Sequence, residues 1–400
     1  MWIEINIALK FLKQGFAQTL LILVGIGVGV AVIVFIVTLV SGLQENIVNR
    51  TLGTQAHIRV EPREEVNLRA DLSKGAHQLV LEDQRAQRLR SINNWQQILT
   101  QLETLPDVTA ASAVVSGPAF ARRGEAVVSV SIIGIDPKRY ERIIPISKDI
   151  IQGEFRVGAG DTVIGSKLAK DLGVRVGSKL RLDAGNNRAA VATITGIFEL
   201  GVRELDSRYV YLDLKQAQAL LGLDGGVTVI DLTVKDIFDA SRVSDQIDRL
   251  TNLESESWMQ TNSQLMNALK SQSLSSSLIS FFVALSVAFG IASVLAISVT
   301  QRTREIGILR AMGARRAQML RVFLIQGAVL GLIGSFTGAA VGWVMVWIFN
   351  EFGPRLFDIS PSMSIIPVAV SIATITGVFA AIAPAWRASR LDPVTAIRYV

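Results

Sequence analysis

Four runs without a single charged residue, 15–44, 271–300, 322–349 and 365–385, constrain this chain more than anything else in it. Each exceeds the length of about 20 residues that a helix needs to cross a hydrocarbon layer of about 30 Å. Within such a layer every backbone amide must find an internal partner, so an apolar run has to be helical. The expected spans are 15–43, 271–300, 322–349 and 365–385. A cleavable signal peptide has an apolar core of about 7–15 residues, so the first run reads as a retained span. Between the first two spans lies 44–270, polar and near neutral, enough chain for its own core. The fold class expected is therefore an integral membrane protein: four transmembrane helices with a large α+β extracytoplasmic domain between the first and second spans.

Charge orients these spans. Segments 1–14, 301–321 and 387–400 hold eleven Lys and Arg against three acids, or +8. The rest of the chain holds 29 against 31, or −2, which together give the net +6. Basic flanks stay on the cytoplasmic side. That places the N-terminal segment 1–14, the loop 301–321 and the tail 386–400 inside, and 44–270 and the short loop 350–364 outside. The chain is expected in a bacterial inner (plasma) membrane, multi-pass, with both termini cytoplasmic. A basic balance of this origin reports topology and implies no nucleic-acid partner.

Within 44–270 the periods alternate between two and 3.6 residues. Residues 57–60 alternate like a strand, and Trp95, Ile98, Leu99, Leu102 and Leu105 share a helical face that ends at Pro106. A short helix over 166–172 is closed by Gly173, strands follow at 174–182 and 190–198, and 184–188 is a tight turn. Asp213 caps a helix over 214–221 that stops at Gly222. A strand at 227–234 and an amphipathic helix through Val243, Ile247 and Leu250 complete the region. Residues 62–90 are charged without a steady period and read as a solvated insertion.

Several chemistries are excluded. Cysteine is absent and only His57 and His77 carry imidazoles, so neither thiolate chemistry nor a His-rich metal site is available. No GxxxxGK[ST] phosphate loop occurs. No charge lies inside a span, which argues against a proton relay. No catalytic residues are assigned, and no cofactor is expected on this chain.

Two features remain. The loop 301–321 carries six arginines and one acid, and within it 305–314 reads as a short amphipathic helix that Gly313 terminates. Positive-inside bias explains the arginines; the apolar residues Ile308, Leu309 and Met312 call for something to dock on them. The second feature is glycine spacing. Gly25 and Gly29 in the first span, Gly327 and Gly331 in the third, and then Gly334, Gly338 and Gly342 recur at four-residue steps, which lets helix backbones approach closely. Glycine is common in membrane helices, so the first pair is also compatible with no special role. Gly338→Leu is expected to disrupt packing and Gly338→Ala to be tolerated.

The segment EIGILRAMGA, the run FLIQGAVLGLIGSFTGAAVG and the terminal PAWRASRLDPVTAIRYV resemble permeases of the MacB/FtsX superfamily of ABC transporters. SGLQENIVNRTLGTQAHIRV and VYLDLKQAQALLGLDGGV are similar to the LolC/LolE lipoprotein-releasing branch. The resemblance implies a mechanotransmission permease that extracts lipoproteins or other hydrophobic substrates from the outer leaflet. It implies a separate cytoplasmic ABC ATPase dimer carrying ATP and Mg, and a second permease copy or paralogue. A periplasmic adaptor or carrier is a further implied partner, as is membrane lipid. Matched residue by residue, Glu305, Ile306, Leu309, Arg310, Met312 and Gly313 fall on the ATPase-coupling motif, with charge pairing for Glu305 and Arg310 and apolar docking for the others. The chain departs from the LolC pattern in having only 183–188 where that branch inserts a carrier-engaging hairpin, and in the insertion 62–90. Two alternatives follow: a MacB-like or DevC-like export permease with a periplasmic adaptor, and an FtsX-like regulator of a cell-wall hydrolase.

Overall fold

The computed structural model describes residues 2–63, 89–185, 188–353, 359 and 365–392. Most of the insertion 62–90, the tip of the turn 184–188, most of 350–364 and the end of the tail lie outside the described residues. The chain divides into two compact units, 49–266 and the remainder.

The first elements are helix α1 (Trp2–Gln14) and helix α2 (Phe16–Leu52), separated at Gly15. The interspan unit then runs β1 (Ile58–Pro62), α3 (Trp95–Glu103), β2 (Val108–Arg123), β3 (Ala126–Ile135), α4 (Pro137–Tyr140), β4 (Ile150–Gly153), β5 (Asp161–Gly165) and α5 (Ser166–Leu172). It continues with β6 (Lys179–Asp183), β7 (Ala189–Phe198), α6 (Arg203–Arg208), β8 (Tyr209–Asp213), α7 (Leu214–Leu221), β9 (Val229–Val234), α8 (Ala240–Leu250), β10 (Leu253–Ser257) and α9 (Trp258–Thr261). The chain closes with α10 (Ser263–Gln301), α11 (Thr303–Ala311), α12 (Arg316–Phe352) and α13 (Ile365–Ser389). Helices α2, α10, α12 and α13 are each long and apolar enough to cross a membrane. So the fold is four apolar helices with a large mixed domain between the first and the second.

The interspan unit is organised by β2, whose 16 residues serve two substructures. Its first half pairs with β9, which leads through β1 to β10 in an open antiparallel sheet. Its second half pairs with β3 on one side and β6 on the other, and β3-β8-β5-β7-β6 returns to β2 as a closed ring of six strands. Closure leaves the ring no unpaired edge. Its interior follows the two-residue period. Ala121, Ile132, Val210, Ile164, Ile194 and Leu182 stand on the same face in register and are almost fully buried. Residues 174–178, read from sequence as part of a strand, are a turn instead. Gly177 there has φ +87°, and its N–H donates to the carbonyl of Ile194.

In the open sheet, Asp231 is buried and Arg59, opposite it on β1, reaches its carboxylate at 3.2 Å. The half-buried imidazole of His57 accepts the N–H of Val234 on Nδ1 at 3.1 Å. Burial holds its pKa below the ordinary value.

Among the described residues, the membrane unit holds two apolar clusters. One joins Ile22, Ile26, Val30 and Val34 of α2 to Ile291 and Leu295 of α10, Leu330 of α12, and Ala373 and Ala381 of α13. The other lies at the α11 end and holds Ala8, Phe11, Val299, Ile306, Met319, Val322, Phe323, Ala385 and Ala388.

Candidate functional site: the coupling base and a membrane groove

Helix α11 is seated in the second of these cores. Ile306 is fully buried there with Gly307, and Leu309 packs against the cluster while half exposed. Ile308 and Met312, four residues apart, face outward, Met312 being 79% exposed. The expected single stripe is thus two stripes. Positions 306 and 309 fall in one helical sector and 308 and 312 in an adjoining one about 110° round the helix, with Leu309 at the boundary, as a 3.6-residue period gives. Ile306 was matched to the docking motif; its burial makes it an internal anchor, unavailable to another chain. Gly313, at φ +100°, ends the helix. Its N–H bonds the Arg310 carbonyl at 3.1 Å and that of Ala314 bonds the Leu309 carbonyl at 3.1 Å, the paired closure of a Schellman motif.

Arg310 is engaged within the chain itself. Among the described residues it pairs with no carboxylate. Its Nη1 donates to the carbonyls of Ser389 (3.2 Å) and Leu391, capping the end of α13 where helical carbonyls lack partners. Glu305 stays half exposed, 3.9 Å from Arg302. Arg302, read from sequence only as a topology charge, is nearly buried and joins three elements. Nη2 donates to the Phe11 carbonyl at 2.7 Å, Nη1 to Gln14 Oε1 at 3.0 Å, and the guanidinium lies 4.6 Å from the Phe11 ring centroid. No periodicity singles out one arginine among six, so sequence carried no signal for this. Glu4, buried on α1, pairs with Arg321 of α12 at 3.5 Å. Helix α11 is thus bonded to α1 through Arg302 and to the end of α13 through Arg310, and α1 in turn to α12 through Glu4.

The glycine stripe of α12 is shared lengthwise between two neighbours. A Cβ at Gly327 would lie 2.5 Å from the Gly377 carbonyl oxygen of α13, and one at Gly331 3.0 Å from that of Ala373. Gly334 faces Ile26, Gly338 the Gly27 carbonyl and Val30, and Gly342 the Ala31 carbonyl and Val34, all on α2. Gly29 abuts Val287 of α10. Gly25 is the exception to the expected packing set: a Cβ there would meet nothing within 4 Å, because it faces an open groove between α2 and α10.

A groove of about 620 Å³ runs between α2, α10 and α13. Val37, Phe281, Leu285, Ile372 and Phe379 make it apolar along most of its length, whereas Ser41, Gln44, Ser273 and Ser277 gather at the end remote from α11. Among the described residues no cluster of three or more His, Cys, Asp or Glu exists that would hold a metal.

Residues 19–250 match the MacB-like periplasmic core domain, and 277–393 match the FtsX-like permease C-terminal region. The lipoprotein-releasing system transmembrane protein LolC of Xylella fastidiosa (strain Temecula1 / ATCC 700964) is 26% identical over 394 residues, covering 90% of this chain and 88% of that protein. LolC of Neisseria meningitidis serogroup B is 25% identical over 344 residues, 76% of this chain and 82% of the relative. The macrolide export ATP-binding/permease protein MacB of Shewanella oneidensis is 25% identical over 403 residues, 95% of this chain but 58% of the longer relative. The crystal structure of the periplasmic region of MacB from Actinobacillus actinomycetemcomitans covers 55% of this chain and 96% of that one at 11% identity, with a TM-score of 0.36.

Proposed function

The chain belongs to the MacB/FtsX superfamily of ABC transporter permeases, and from that premise we propose that it extracts an acylated or otherwise amphiphilic substrate from the outer leaflet of a bacterial inner membrane. The groove carries this reading. Apolar walls suit acyl chains, and the hydroxyl and amide groups at one end suit a polar head held at the membrane surface. Both termini and α11 lie on the cytoplasmic side and the interspan unit outside, in keeping with the +8 against −2 partition of charge.

ATP is hydrolysed on a separate ATPase dimer, which docks on the outward face of α11 through Met312, Ile308 and the exposed part of Leu309, with Glu305 at the rim. Closure of that dimer pushes α11, and Arg302 and Arg310 carry the push into α1 and α13. A second permease copy or paralogue completes the complex. LolC relatives, named for lipoprotein release, support lipoproteins as the substrate class.

One observation favours a second reading, a MacB-like export permease with a periplasmic adaptor. Strands β6 and β7 are joined only through 184–188, with Ala184 N–H bonded to the Arg188 carbonyl at 3.0 Å. That turn offers no extended hairpin for a carrier.

The test is a photocrosslinking residue at Leu285 in the groove and, as control, at Ile333, an exposed position of α12. Adducts with acylated protein at 285, lost when the ATPase turns over, are expected. The same bulk-lipid adducts at both positions would defeat the groove as a substrate site.

A further inference from the structure

Helix α1 presents three different sectors to its surroundings. At about 100° per residue, Glu4, Ala8 and Phe11 fall together and are buried against the base of the bundle. Trp2, Ile5 and Leu9 form a second sector, apolar yet open; Trp2 is 82% exposed. Asn6, Lys10, Lys13 and Gln14 form a third, polar and exposed. A soluble helix needs one apolar face, toward its core. The second apolar face requires another occupant.

The occupant is identified by continuity and by charge. The open stripe continues past Gly15 into Phe16, Leu20 and Val24, exposed residues of a helix long and apolar enough to cross a membrane. The only acid of α1, Glu4, is buried against Arg321. Its water-facing side is therefore purely cationic, and neither lysine has an acidic partner among the described residues. Lys13 and Asn6 border the apolar sector, where a lysine stem can lie along lipid while its ammonium reaches the surface. An apolar stripe beside cations is the pattern of a helix lying in the membrane interface.

We propose that α1 is an interfacial helix that binds anionic phospholipid headgroups through Lys10 and Lys13 on the leaflet nearest α11. Because Arg302 fastens Phe11 and Gln14 to the start of α11, lipid held by α1 also fixes the position of the coupling helix. The inference rests on the four helices crossing a bilayer and not on what is transported.

The chain has no cysteine, so single cysteines at Leu9, Gln14 and, as a reference in the bilayer, Ile333 can carry spin labels. In nanodiscs of phosphatidylcholine with or without phosphatidylglycerol, the Leu9 label should collide with oxygen and the Gln14 label with a water-soluble nickel reagent. Lipid retained by the purified full chain from mixed micelles should favour phosphatidylglycerol. Lys10→Gln with Lys13→Gln should reduce that preference about fivefold or more, and Lys10→Arg with Lys13→Arg should keep it. Three results would overturn the proposal: no preference in the unaltered chain, a preference unchanged by the glutamines, or a Leu9 label shielded from both reagents, which would put protein on the stripe. A water-exposed Ile333 label would instead indict the membrane reading itself.

Discussion

Arg302 lies across Phe11, its guanidinium bonded to the Phe11 carbonyl at 2.7 Å and stacked 4.6 Å from the centre of the same ring. The carbonyl belongs to the last turn of α1, where its only backbone donor is the Gly15 N–H at a long 3.4 Å among the described residues. One side chain thus caps one helix, covers its aromatic residue and begins the next. Arg302→Met would keep the stem and remove the donors. Hydrogen bonds to a charged group contribute about 1.5–3 kcal/mol, so a clear fall in thermal stability in detergent is expected. Transport-coupled ATP hydrolysis should fall further than stability does, and Arg302→Lys should restore only part. Unaltered coupling in a stably folded Arg302→Met chain would remove the arginine from the transmission path.

Gly338 admits no side chain at all. Its Cβ would stand 2.5 Å from the Gly27 carbonyl oxygen and 2.7 Å from Val30 Cβ. Backbone cannot step aside as a flexible side chain can, so Gly338→Ala, which from sequence alone should be tolerated, is expected to destabilise by about 1–3 kcal/mol, and Gly338→Leu by more. Gly25→Ala meets open space and should be neutral or slightly stabilising through helix propensity. Melting temperatures of the three variants in one detergent give the comparison; equal behaviour of Gly25→Ala and Gly338→Ala would contradict it.

Met312 and Ile306 separate docking from folding. Met312→Asp changes an exposed residue and should leave expression and melting unchanged while ATPase binding drops about tenfold or more, as for a central interface anchor. Ile306→Asp places an unpaired carboxylate in a sealed apolar cluster and should fail to accumulate. Binding by the purified ATPase at the unaltered affinity with Met312→Asp would move the docking surface elsewhere.

Acid should loosen the interspan unit through His57. The unfolded chain takes up a proton near the ordinary value of 6.5, whereas burial holds the folded imidazole below it. Stability is then complete above pH 6.5 and is lost as pH falls below that value. The Nδ1 bond from Val234 also requires that nitrogen unprotonated. His57→Gln should flatten this part of the pH–stability curve of the full chain. The comparison isolates His57 from Glu61 and Asp206, whose carboxyls burial shifts upward. Parallel curves for the two proteins would exclude His57 as the source.

The sequence by itself determined the membrane helices and the local punctuation of the interspan unit. Absence of charge over more than 20 residues leaves only a helix as a solution in hydrocarbon. Likewise the stops at Gly173, Gly222 and Gly313, all at positive φ, follow from what a single glycine permits. Tertiary structure alone decided the rest. The six-stranded ring closes because the second half of β2 finds β6, and no local period encodes a pairing across that separation. Which arginine of 301–321 becomes a cap, which isoleucine of α11 is sealed inward, and which glycines meet a backbone depended on neighbours hundreds of residues away in the chain. Helical spacing told that faces existed; only packing chose what each face would touch.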